Sequence, residues 1–168
     1  FVSLKYKSIH ELPVGAVVGS SSISRKAQLL SIRSDLKVVE FRGNVQTRLK
    51  KLEDGIAEAT FLACAGLLRL GMKELINPVS PEVMMPAIAQ GIIGIEQRLS
   101  DREITDLLLP LNHKETMIQA IVEHAFLQVL DGSCRTPIGS ISKIEGENIF
   151  LSGQVLKPDG SKIISGYW

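Results

Sequence analysis

Between Gly15 and Gly71, short apolar runs alternate with stretches of helical pattern, and this alternation constrains the fold more than any other feature of the chain. Parallel strands joined by crossover helices produce such a rhythm, because the strands are buried on both faces and the helices cover them. Ala16 to Gly19 reads as a strand, Ser24 to Ile32 as a helix and Lys37 to Phe41 as a second strand. Asn44 is placed to cap a helix running through Glu53. Asp54-Gly55 ends that helix, and Ala59 to Ala63 supplies another buried strand.

The rhythm then breaks. Pro78, Pro81 and Pro86 interrupt the pattern and mark a connection between structural units, beyond which Gly91 to Glu96 is expected to be a strand. Ser100 with Glu103, and Asn112 with Glu115, have capping-box spacing, so helices are expected from there to about Leu109 and to about Leu130. On the second helix, Met117, Ile118, Ile121, Val122, Ala125, Phe126 and Val129 follow the three-four rhythm of a buried face. After Asp131-Gly132, strands are expected near 138–144, 149–156 and 162–168, and their short turn-rich connections favour an antiparallel meander.

A chain of 168 residues with 45% hydrophobic content can bury a core. Its formal net charge of +1 gives no bulk attraction to nucleic acid or to an acidic membrane. The apolar run Phe61 to Leu68 is broken by Arg69 and is too short to cross a bilayer. Cys64 and Cys134, the only two cysteines, stand in different contexts, which argues against a disulfide framework and for a reducing, cytoplasmic setting. Phe1 and Trp168 are read as cuts in a longer protein.

Anion binding must therefore come from local arrangement. Gly19-Ser20-Ser21-Ser22 lies between a strand and a helix bearing Arg25 and Lys26, where backbone donors, hydroxyls and the helix dipole can hold an anion. A serine cap followed by solvated basic residues accounts for the same pattern. Arg42 stands at the start of a helix, Arg48 one turn further on and Arg69 near the end of another helical segment; guanidinium groups grip carboxylates with two prongs, yet surface arginines are commoner than ligand-binding ones. Cys64, among apolar neighbours, reads as a small core residue. Cys134 sits in a loop after Asp131-Gly132-Ser133 and beside Arg135, a setting that favours an accessible thiolate but also suits an ordinary loop cysteine. His10, His113 and His124 have no metal-ligand spacing and are assigned no catalytic role.

Five segments in order carry a family resemblance: 12–22 with Leu12-Pro13 and the serine turn; Phe41-Arg42-Gly43-Asn44-Val45-Gln46-Thr47-Arg48-Leu49; Ala65-Gly66-Leu67-Leu68-Arg69-Leu70-Gly71; Pro86-Ala87-Ile88-Ala89-Gln90-Gly91; and Asp131-Gly132-Ser133-Cys134-Arg135-Thr136-Pro137-Ile138-Gly139. The chain resembles the hydroxymethylbilane synthases, also called porphobilinogen deaminases, over nearly its whole length. That resemblance implies a periplasmic-binding-protein-like α/β domain followed by a smaller α+β domain with a three-stranded antiparallel sheet. Residues 1–86 would form the second domain of the family, 87–110 a return segment to a largely missing first domain, and 111–168 a truncated cofactor-carrying domain.

The resemblance also implies chemistry. The family joins four porphobilinogen molecules head to tail, releasing ammonia each time, on a dipyrromethane cofactor that would be held covalently by Cys134. Ser21, Ser22, Arg25, Arg42, Arg48, Arg69 and Gln90 match positions that contact cofactor or substrate, with 89–91 near the interdomain hinge. The partners implied are porphobilinogen and the growing pyrrole chain, with no nucleic acid, no membrane and a monomeric full-length enzyme. The catalytic aspartate would lie upstream of Phe1, so residues 1–168 alone are expected to be inactive. Two departures stand out: Ser24-Arg25 where the family has paired arginines, and Glu123-His124 where it has Glu-Arg. Two other readings remain, a catalytically degenerate paralogue motivated by Ser24 and a non-catalytic solute-binding module, the latter giving Cys134 no purpose.

Overall fold

The structure is a computed structural model that describes residues 1–130, 132 and 136–168. Its first part is a four-stranded sheet of β1 (Val2–Ser3), β2 (Val17–Gly19), β3 (Lys37–Val39) and β4 (Ala59–Thr60), in the order β1-β4-β2-β3. β2 runs parallel to both β3 and β4, and only β1 is antiparallel, to β4. Helices α1 (Ile23–Ile32), α2 (Val45–Glu53) and α3 (Cys64–Arg69) each follow one of the parallel strands. All three therefore begin along the sheet edge where those strands end.

Strand alternation sorts the core into two layers. Val18, Leu29, Leu36, Ala59 and Phe61 pack together on one face, whereas Phe41, Leu52, Ala57 and Leu67 pack on the other, with Val17 against them. A sheet buried on both faces explains why its strands read as continuous apolar runs. The strands are shorter than the sequence suggests, because Glu40-Phe41 and 61–63 have already turned away from the ladder to form the loops that lead into α2 and α3.

Residues 76–101 carry no strand, and the one expected at Gly91 to Glu96 is absent: this stretch is irregular and largely exposed. No neighbouring strand lies alongside it among the described residues, so its backbone has no ladder to join. α4 (Arg102–Leu108) and α5 (Lys114–Val129) follow. Their caps are displaced by one residue from the expected ones. Asp101 accepts from the Ile104 N–H at 3.1 Å, and the His113 ring accepts from the Thr116 N–H at 3.3 Å.

The last part is the meander β5 (Ile138–Glu145), β6 (Asn148–Leu156) and β7 (Ile163–Tyr167), antiparallel throughout as expected. α5 covers one face, but not with the apolar stripe read from sequence. Met117, Ile121 and Val129 are 44%, 60% and 85% exposed, and the helix instead buries Glu123. The reason is the sheet surface beneath it. β5 turns Ser140 and Ser142 inward, and Ser142 is satisfied by Gln119 and Glu123, which lie four residues apart on one helix face.

Candidate functional site

The strand order reverses at β2, which lies between β4 and β3, and ligands of parallel α/β sheets bind outside the strand ends at such a point. A cavity of about 510 Å³ opens there. Ser22, Ser24, Arg25 and Gln28 of the β2–α1 region form one side, 61–64 after β4 a second, and the linker residues 84–87 with Gln90 a third.

The serine turn is built by close approach. Gly19 packs under the Phe41 ring so tightly that a Cβ would sit inside van der Waals contact with it. The Ser21 hydroxyl accepts from the Phe41 N–H at 3.0 Å, tying the turn to the loop after β3. Ser22 caps α1, its Oγ accepting from the Arg25 N–H at 3.3 Å while its carbonyl accepts from Lys26 at 2.9 Å. The Ile23 and Ser24 N–H groups are left without an acceptor among the described residues, as expected for the first turn of a helix.

At α2, Asn44 accepts from the Thr47 N–H at 2.9 Å, and Gly43 at φ 127 admits the Thr47 side chain, which a Cβ would meet at 2.6 Å. Arg48 folds back to donate from Nε to the Gly43 carbonyl at 2.8 Å. The Arg25 pKa is lowered from its ordinary value first by burial and then by the Arg48 charge. No carboxylate forms an ion pair with either arginine among the described residues. A partly desolvated guanidinium without a carboxylate partner suits an anion.

Of the residues singled out from sequence, the fold brings Ser22, Arg25 and Gln90 to one cavity, which Arg48 does not line. Arg42 is 82% exposed and paired with Glu40 at 2.6 Å, and Arg69 is exposed at the end of α3; neither lines the cavity. Cys134, with Asp131, Ser133 and Arg135, lies outside the described residues. Cys64 is not a core residue: it opens α3, half-buried, and lines the cavity. Gln28 was missed by sequence reasoning, although it lies on the same face of α1 as Ser24 and Arg25 by helical spacing. Its Nε2 donates to the Met85 carbonyl at 2.9 Å, fastening α1 to the linker.

Residues 1–106 match the family model described as "porphobilinogen deaminase, dipyromethane cofactor binding domain", and 117–167 match that of the porphobilinogen deaminase C-terminal domain. The chain belongs to the porphobilinogen deaminase family. A porphobilinogen deaminase of Paracoccus denitrificans (strain Pd 1222) is 54% identical over 166 residues, which cover 98% of this chain and 53% of that relative. The chain thus spans about half the length of the curated relative it matches. The cavity at the β2 switch point lies within the residues that the first of these models matches. No helix among the described residues is long and apolar enough to cross a membrane.

Proposed function

We propose that this chain is part of a hydroxymethylbilane synthase, a transferase that condenses four porphobilinogen molecules into a linear tetrapyrrole with loss of ammonia. The observation that carries this reading is Arg25 in the β2 cavity beside the α1 N-terminus, without a carboxylate partner among the described residues. Every pyrrole of the substrate bears acetate and propionate groups, so a binding surface must neutralise several carboxylates at once. Arg25 supplies charge, the open Ile23 and Ser24 N–H groups supply donors on the positive end of a helix dipole, and Gln90 borders the same space.

The residues fit the dipyrromethane cofactor in this respect: the cavity is cationic where pyrrole carboxylates would lie and apolar where 61–63 and Met84 line it. When bound, the cofactor supplies the carboxylate-bearing primer to which pyrroles are added. Cys134 would attach it through a thioether, with Ser21, Ser22, Arg25, Arg42, Arg48, Arg69 and Gln90 holding carboxylates of cofactor or substrate. Arg42 reaches this role only by leaving Glu40, an exposed pair with little to hold it.

In the same reading, residues 1–86 are the second, periplasmic-binding-protein-like domain, 87–110 a return segment and 111–168 the cofactor-carrying domain of a monomeric cytoplasmic enzyme. Ser24 in place of an arginine weakens one carboxylate clamp without removing Arg25. The test is intact-mass analysis of the full-length protein, purified from a host that makes porphobilinogen, together with a Cys134→Ser variant. An increment of two linked pyrroles on the wild type and none on the variant is expected. An unmodified wild type would overturn the reading and favour the degenerate paralogue.

A further inference from the structure

Residues 84–87 and Gln90 wall the cavity, yet they belong to no sheet and are held by side chains and strand edges from elsewhere. Three tethers fix them. Gln28 Nε2 donates to the Met85 carbonyl at 2.9 Å, the Ser140 N–H donates to the Pro86 carbonyl at 3.1 Å, and the Ala89 N–H donates to Glu123 Oε2 at 2.8 Å. The third differs from the others because its acceptor is a carboxylate that is only 6% exposed.

We propose that Glu123, buried on α5, is a positioning residue that locks the 86–91 linker into the wall of the anion cavity, and so sets the place of Gln90. This rests on the deaminase reading for what the cavity binds, but not for what the carboxylate holds. Both oxygens of Glu123 are engaged by neutral donors. Oε2 takes the Ala89 N–H, while Oε1 takes the Ser142 N–H and hydroxyl, each at 2.9 Å. Such charge-assisted bonds are stronger than neutral ones, and a buried carboxylate exerts a corresponding pull on its donors.

What that pull holds is an unfavourable conformation. Ala89 has φ 54, the one positive value for a residue other than glycine among the described residues. An alanine enters the left-handed region only when its surroundings impose it. The consequence appears at the next residue. Gln90 turns its side-chain oxygen to accept from the Ala87 N–H at 3.2 Å, which leaves its amide NH₂ as the donor available to the cavity. Should Ala89 relax to an ordinary φ, the chain direction at Gln90 changes and this donor leaves the wall.

The experiment uses the full-length, cofactor-loaded protein with Glu123→Gln, alone and combined with Ala89→Gly. Amide hydrogen exchange across 86–91 and across 138–156 is measured without substrate, and KM and kcat with porphobilinogen. Glu123→Gln should speed exchange in 86–91 by about ten-fold, the loss of one charge-assisted bond, and leave the β5–β6 ladder protected. KM should rise by a similar factor with kcat per loaded enzyme little changed. Adding Ala89→Gly, which takes a positive φ without strain, should recover most of the KM loss although the carboxylate is still absent. If Glu123→Gln does not fold, Ser142→Ala, which removes one of the three donors, should move both readouts the same way by less. Faster exchange across 86–91 and the ladder alike, or an unchanged KM with a loosened linker, would overturn the proposal. A wild type without turnover would defeat the deaminase reading instead, while the exchange data would still judge the lock.

Discussion

Gly160, at the tip of the β6–β7 hairpin, lies against the backbone of Ser31 on α1: a Cβ on Gly160 would come within 2.6 Å of the Ser31 nitrogen and 2.7 Å of the Ala27 oxygen. The meander therefore rests on the same helix whose first turn borders the cavity. Because the close atoms are backbone and Gly160 has φ 73, no rotamer change can relieve an added methyl group. Gly160→Ala should lower the unfolding free energy by about 1–3 kcal/mol. Gly146→Ala, at φ 62 with open space around it, should cost only the conformational share, about 1 kcal/mol. Chemical denaturation of both variants checks the difference, which measures the contact between the two units.

Arg25 should show opposite effects on binding and on stability. Replacing it with Leu removes a partly desolvated charge that the Arg48 charge further disfavours, so the ligand-free chain should unfold no more easily than wild type. In the full-length protein the same change should weaken retention of a pyrrole carboxylate by about 1.5–3 kcal/mol. Thermal unfolding without ligand and KM for porphobilinogen are the two measurements. A loss of both would make Arg25 a structural residue.

Acid sensitivity should run in part through Asp35. Its bonds from the Arg33 guanidinium, and to a smaller degree from the Gly15 N–H, hold the carboxyl well below the usual aspartate value. A depressed native pKa stabilises the fold fully above the unfolded value, about 3.9, and that contribution fades as pH falls towards the native one. Asp35→Asn should therefore be less stable than wild type at pH 7. The gap between the two unfolding midpoints should narrow as pH falls below about 3.9 and close only in strong acid, at the much lower native value.

Gly19 should tolerate no side chain. Gly19→Ala would press a methyl group into the Phe41 ring, a fully buried residue, at an expected cost of about 1–3 kcal/mol in overpacking. Near-ultraviolet circular dichroism and denaturant unfolding would report the disturbed ring and the lost stability.

The strand-helix order of the first half was legible because each element carries its own signal. Asn44 caps α2 as its residue type suggests, and the parallel strands are the apolar runs that two-sided burial demands. What failed depended on partners distant in sequence. The apolar stripe of α5 has the right period, but the buried serines of β5 rotate the helix to present Gln119 and Glu123. Ser100 and Asn112 have capping-box spacing, while the adjacent Asp101 and His113 form the caps because their side chains reach the N–H three residues on. At the site, Arg25 and Ser22 could be named from the turn they follow. Gln28 and Cys64 could not, since only the packing of α1, the β4–α3 loop and the linker makes them neighbours.

The pairing of β1 with β4 has a consequence for how the chain assembles. Val2 lies opposite Thr60 and Ser3 opposite Ala59, so β1 has no partner until β4 has been made. The β5–β6–β7 hairpins, by contrast, close over short connections and need little loop entropy. Non-local pairing is slow relative to local pairing, so the meander should be protected early in refolding and β1 late. During that interval Phe1 and Val2, both buried in the finished core, stay exposed. Pulse-labelling of their region against the meander would time the closure, and crowding by other nascent chains would be felt there first.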